Sequence, residues 1–173
     1  MVASNAIAAA MPVPNWRVSS TDTNEGTVSL PSVTFTAADW NVPQTITVTG
    51  VDDAIQDGDV AFTVVTGAAS SADPSYDGVD AGDVALTNTD DDAAGITVTP
   101  TAGLVTSEAG GLATFAITLT SQPTADVVVT LASNNPAEGT AAPATVTFTA
   151  ADWNVAQTVT VTGVDDAVQD GDV

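Results

Sequence analysis

The chain has 173 residues, 44% of them apolar, and a net charge of −21 carried by 22 acidic side chains against one basic residue, Arg17. With no Lys and no His it has almost nothing to neutralise phosphate, which argues against nucleic acid and anionic membrane surfaces as partners. The absence of Cys rules out disulfides and thiolate-ligated metals; with no His, Lys or Cys only carboxylate pairs could support catalysis, and since Asp52-Asp53 recurs with the repeat no enzymatic role is expected.

In chain order, residues 1–17 show no pattern that fixes a structure. Their small apolar stretch Ala-Ile-Ala-Ala-Ala-Met-Pro lacks the basic residues of a signal-peptide n-region. No apolar run approaches the roughly 18 residues of a transmembrane helix, so no membrane insertion is expected of this segment. From there on, strand signals dominate. Apolar and Thr side chains alternate, as the two-residue period of a half-buried strand requires, in Val33–Phe35, Thr45–Thr49, Ala61–Val64 and Val84–Leu86. The same alternation recurs in Ile96–Val98, Thr114–Leu119 and Asp126–Leu131. Turn signals separate the strands: Tyr76-Asp77-Gly78, Gln122-Pro123 and Asn134-Asn135-Pro136. No stretch carries helical apolar spacing. The pattern predicts an all-β chain of antiparallel β-sandwich type, with about seven short strands per repeat.

The repeat itself is explicit. Residues Thr34–Val60 and Thr147–Val173 are the same 27-residue phrase, offset by 113 positions (147 − 34), with only Pro43/Ala156, Ile46/Val159 and Ile55/Val168 different. That period is too long for a solenoid unit of about 20 to 50 residues and fits one small domain. Residues 18–92 read as the C-terminal part of one repeat and residues 93–173 as the N-terminal part of the next. Trp40 and Trp153 stand in the identical phrase Ala-Ala-Asp-Trp-Asn before the clearest strand; an indole plugging the end of the core is expected there rather than an exposed binding aromatic.

The acidic residues cluster at strand ends. Asp52, Asp53 and Asp57 follow one strand, Asp165, Asp166 and Asp170 follow its copy, and Asp90-Asp91-Asp92 closes the first repeat. Adjacent carboxylates with no His or Cys beside them make a hard oxygen ligand set, which selects Ca²⁺ over softer ions. The EF-hand spacing is absent, as is the glycine-rich nonapeptide of calcium β-helices. A solvated acidic surface that only confers solubility is the alternative.

The order Gly95-Ile-Thr-Val, Glu108-Ala-Gly-Gly, Ala113-Thr-Phe-Ala-Ile-Thr-Leu and then Val164-Asp165-Asp166 resembles the Calx-β domain, over roughly residues 18–173. The closing Asn88-Thr89-Asp90-Asp91-Asp92 is similar to that family too. The resemblance implies a seven-stranded immunoglobulin-like sandwich, as in sodium–calcium exchangers and many long bacterial surface proteins. It also implies a calcium cluster shared by Glu108, Asp165, Asp166, Asp170 and a terminal Asp run. In the earlier repeat the matching ligands are Asp52, Asp53, Asp57, Asp90, Asp91 and Asp92. The family's Gly-x-Asp-Tyr phrase is replaced here by Glu25-Gly-Thr-Val and Glu138-Gly-Thr-Ala. Other bacterial immunoglobulin-like adhesin repeats fit as well.

These readings point to a non-enzymatic, extracellular or cell-surface structural repeat that builds a long adhesive fibre stiffened by Ca²⁺. Its expected partners are neighbouring repeats or identical subunits, with a surface glycan or protein receptor as target. Because the first partial repeat lacks its opening strands, strand exchange between subunits is a further expectation. The alternative from a different class is carbohydrate or ice recognition by the Thr ladder Thr45, Thr47 and Thr49.

Overall fold

The structure, a computed structural model, describes residues 16–165 and 167. Most of the N-terminal segment, together with Asp166 and Asp170 of the second acidic cluster, lies outside the described residues. Within them every element is a β-strand, all strand pairs are antiparallel, and no helix is long and apolar enough to cross a membrane. The β-branched Val, Ile and Thr that fill these strands pack well on a pleated surface, which is why the alternation in sequence translates into sheets. The chain forms two compact units: residues 16–52 with 58–89, and residues 53–57 with 90–165.

The first unit contains β1 (Trp16–Ser20), β2 (Gly26–Val28), β3 (Ser32–Val33), β4 (Val48–Gly50), β5 (Val60–Thr66) and β6 (Val84–Asn88). β3-β1-β5-β6 form one sheet and β2-β4 a second. Val18, Phe62 and Val64 make the core, with Val28, Ile46, Val48 and Leu86 packed against them. The Phe62 ring lies so close over Gly26 that a Cβ at this position would run into it.

The second unit contains β7 (Ile96–Thr99), β8 (Leu112–Leu119), β9 (Val127–Thr130), β10 (Gly139–Ala142), β11 (Thr145–Phe148) and β12 (Gln157–Gly163). Here the sheets are β10-β12-β8-β7 and β11-β9. Ile117, Leu119, Val146, Phe148 and Val159 form the core between them, joined by Phe115, Val127, Val129 and Trp153.

The sequence offset of 113 is reproduced in the pairing. β2–β4 sets Gly26 opposite Gly50 and Val28 opposite Val48, and β10–β12 sets Gly139 opposite Gly163 and Ala141 opposite Val161. β1–β3 sets Trp16 opposite Val33, and β9–β11 sets Val129 opposite Val146. β1 to β4 and β9 to β12 are thus the same four-strand arrangement, completed by β5 and β6 in the first unit and by β7 and β8 in the second.

Two expectations fail in the first unit, where the strand read at Val33–Phe35 stops at Val33 in β3. The strand read at Thr45–Thr49 is ordered along its whole length as β12 but only over Val48–Gly50 as β4. The sequences are nearly identical, so local preference is not the cause. β12 has β10 on one side and β8 on the other, whereas β4 has β2 alone. Among the described residues, half of its ladder has no strand to pair with.

Candidate metal centre

The acidic runs are positioned by amide side chains. In the first unit, Asn88 at the end of β6 donates its Nδ2–H to the Val51 carbonyl (2.7 Å) and to Glu25 Oε2 (3.2 Å), while the Val51 amide donates to the Glu25 carbonyl (3.0 Å). The chain leaves this unit after Asp52 and again after Thr89, and Asn88 ties those two exits together. In the second unit the corresponding entries are tied by a different amide. Ala94 N–H donates to Gln56 Oε1 (2.8 Å), and Gln122 N–H donates to the Ala54 carbonyl (2.6 Å). Within the second unit, the Gln56–Ala94 bond thus joins the run Asp53–Asp57 to the segment that follows Asp90–Asp92.

Within the loops the carboxylates shape their own backbone. Asp53 accepts the Ile55 amide (2.7 Å) and Asp90 accepts the Asp92 amide (2.8 Å). Both are turns in which an Asp side chain stands in for a backbone acceptor. Gly58, at φ +82°, allows the chain to turn directly after Asp57. Asp52, Asp53, Asp57 and Asp91 are exposed, and Asp92 is half-buried. Asp91 and Asp92 carry carboxylate oxygens within 4.8 Å of each other. At that separation two unit charges repel by about 1 kcal/mol even at the dielectric of water. A hard cation accepting six to eight oxygens would replace repulsion by attraction, with loop carbonyls and water completing its shell.

The remaining sequence-predicted residues lie at the other end of the second unit. Glu108 is exposed in the turn between β7 and β8, where the amides of Gly110 and Gly111 both donate to the Ser107 carbonyl (3.0 Å each). Gly163, the last residue of β12, donates to the Gly111 carbonyl (3.0 Å), and a Cβ at Gly163 would strike the backbone of Ser107. This close approach sets the Glu108 turn beside the strand end that leads to Asp165. Asp165 is exposed, and its proposed companions Asp166 and Asp170 lie outside the described residues. β8 runs the length of the unit, pairing Leu119 with Ile96 at one end and Leu112 with Thr162 at the other. Its eight residues separate the Glu108 end from the Asp90–Asp92 end by roughly 24 Å.

Sequence reading missed Asn88 and Gln56. The signal for Gln56 was present: it recurs as Gln169 in the copied phrase although no strand pattern requires it. The Trp expectation holds in one copy. Trp153 packs on the core of the second unit, whereas Trp40 is exposed and no strand equivalent to β8 borders it among the described residues of the first unit.

A second acidic feature is structural. Asp39 Oδ1 accepts the Thr36 hydroxyl (2.7 Å) and amide (2.5 Å), and Asp152 Oδ1 accepts the Thr149 amide (2.6 Å) and hydroxyl (2.8 Å). The hydroxyl bond first and then the amide bond hold the Asp39 carboxyl below the usual aspartate value. For Asp152 the amide bond is the larger cause, followed by the hydroxyl. These two carboxylates are engaged in their own turns.

No family model matches the chain, and neither a characterised protein nor a solved structure matches it.

Proposed function

We propose that this chain is part of a tandem array of immunoglobulin-like, Calx-β-like repeats in an extracellular fibre or adhesin, with Ca²⁺ bound at its acidic strand-end loops. The observation that carries the reading is the Gln56–Ala94 bond, which within the second unit joins the run holding Asp53 and Asp57 to the one holding Asp90–Asp92. The common register supports the repeat. Overlaying the shared four strands by the offset of 113 gives one domain that opens with β7 and β8 and closes with β5 and β6. Its sheets are β7-β8-β12-β10 and, in the first unit's copy, β3-β1-β5-β6, with β10 and β11 acting as one strand that changes sheets. The resulting count of seven strands in two sheets supports the immunoglobulin-type reading.

The protein is a scaffold rather than a catalyst in this reading, and its partners are neighbouring repeats or identical subunits. Calcium gives the scaffold its stiffness. Self-repulsion from a charge of −21 opposes a compact, extended array until cations offset it. Extracellular calcium modules bind at about 10⁻⁴ to 10⁻³ M. At 100 times the dissociation constant one site adds about 2.7 kcal/mol, a large share of a typical stability of about 5 to 15 kcal/mol.

The test is a set of thermal melts in calcium, magnesium and EDTA. One saturated site should raise the transition by roughly 10 to 20 °C for a domain of this size, with magnesium weaker. A chain carrying Asp91→Asn and Asp92→Asn should lose that rise. Melts that coincide in calcium and EDTA would leave the acidic runs as surface charge and remove the calcium role.

A further inference from the structure

Five residues of the second unit are drawn from far upstream in the chain. Asp53–Asp57 lie in sequence between β4 and β5, yet they belong to the compact unit built by residues 90–165, while their neighbours Asp52 and Gly58 belong to the first. From Asp52 to Asp59 only Ala54 and Ile55 are half-buried and the rest are exposed, so the two apolar side chains of the loop are turned inward. The Asp53 carboxylate shapes that turn by accepting the Ile55 amide (2.7 Å). Two amides of the second unit end on the loop: Gln122 N–H on the Ala54 carbonyl (2.6 Å) and Ala94 N–H on Gln56 Oε1 (2.8 Å). Thr120 sets these two amides side by side. Its hydroxyl donates to the Ala93 carbonyl (2.6 Å) and its amide to the Gly95 carbonyl (3.0 Å), one on each side of Ala94. Gly95 allows the approach, since a Cβ there would stand 2.9 Å from the Thr120 hydroxyl oxygen. Ile55 and Gln56 line one cleft with Gly95, Ile96, Leu119 and Ser121, all of the same unit.

Resting on the tandem-repeat reading above, we propose that Ala54-Ile55-Gln56 is a docking finger carried by the β4–β5 loop of each repeat, and that its seat, formed by Ala94–Ile96 with Ser121 and Gln122, lies on the repeat that follows. The seat asks for three things in a row: a backbone carbonyl for the Gln122 amide, an aliphatic side chain for the cleft, and a side-chain acceptor for the Ala94 amide. Ala54, Ile55 and Gln56 supply them in that order. The copied phrase keeps all three as Ala167, Val168 and Gln169, although the two-residue period of a strand calls for none of them. A phrase that every repeat must present to its neighbour has to recur in this way. No carboxylate makes either docking bond, so the finger holds by backbone, amide and apolar contact and is separate from the charges around it. Each repeat is then completed by a short loop of its predecessor, and its stability depends on the repeat before it.

The test is amide exchange on the full 173-residue chain, compared with Ile55→Val and with Ile55→Ala combined with Gln56→Met. The Gln122 amide decides, because its acceptor is the Ala54 backbone carbonyl, which neither substitution removes. In the double variant, exchange at Gln122 and Ala94 should quicken by roughly fivefold or more. Ile55→Val follows the copied phrase and should leave both amides within about twofold of the parent. Unchanged exchange at Gln122 in the double variant would overturn the proposal. So would a rise at Ala94 alone, which reports only the lost Gln56 acceptor, or a rise at Gln122 that is as large in Ile55→Val. Every acidic residue stays in place in these variants, so calcium melts are read separately. A chain that ignores calcium yet shows the rise at Gln122 loses the metal role and keeps the finger. One that responds to calcium without that rise loses only the finger.

Discussion

Phe35 and Phe148 occupy the same place in the same phrase, so truncating each to Ala measures context with sequence held constant. Phe148 is sealed among Ile117, Leu119, Val146 and Val159. Replacing it by Ala removes the whole ring from the core and leaves a cavity that a two-sheet sandwich of this size closes only in part. The expected cost is about 3 to 5 kcal/mol. Phe35 already shows nearly half its surface to water, and among the described residues no β8 equivalent lies over it. Its truncation forfeits about half of the roughly 1.5 to 3 kcal/mol of a fully buried side chain and opens no enclosed cavity, so about 1 kcal/mol is expected. The difference, about 2 to 4 kcal/mol, is large against the error of denaturant unfolding. Phe148→Ala should shift the transition midpoint strongly, and amide exchange should place the loss in the second unit. Equal costs at the two positions would refute the reasoning, because they would mean that Phe35 is as well covered in solution as Phe148.

Glycine gives a second paired comparison. Gly26→Ala should destabilise by about 1 to 3 kcal/mol, because the new methyl meets the buried Phe62 ring. Gly139→Ala should lie within about 0.5 kcal/mol of the parent, since a Cβ there meets Thr162 and Val161 only at 3.6 Å; calorimetry that ranked the two substitutions the other way would contradict the packing described. For the Thr–Asp turns, both carboxyls are lowered on folding, so their stabilisation is complete above the unfolded value near pH 3.9 and is lost as the pH falls through the lower folded value. Carboxyl-detected NMR should find Asp39 and Asp152 titrating below about 3.9, and Asp39→Asn with Asp152→Asn should flatten the acid limb of the stability curve; titration at or above that value would remove the turn's pH role.

The alternation of Val, Ile and Thr made most strands legible: Ala61–Val64, Val84–Leu86, Ile96–Val98, Thr114–Leu119 and Asp126–Leu131 all fall within or on β5 to β9. Alternation tells which face a residue occupies, and it says nothing about whether a neighbouring strand exists. Thr45–Thr49 and Trp40 illustrate the limit, since both depend on a partner that local sequence cannot supply. The acidic runs were legible as loops at strand ends, and the amides that tie those loops were not. Asn88 and Gln56 act through bonds to groups far away in sequence, and a polar residue at a strand end or in a loop carries no periodicity to give it away.

The Thr36–Asp39 and Thr149–Asp152 turns have the same bonds although one borders a sealed core and the other an open face. Their geometry is thus set within four residues and is indifferent to everything around them. Such a contact can close in tens of nanoseconds, long before strands from distant parts of the chain can meet. Each repeat then starts its folding with one corner already bent, and the slow step left to it is recruiting the strands on either side.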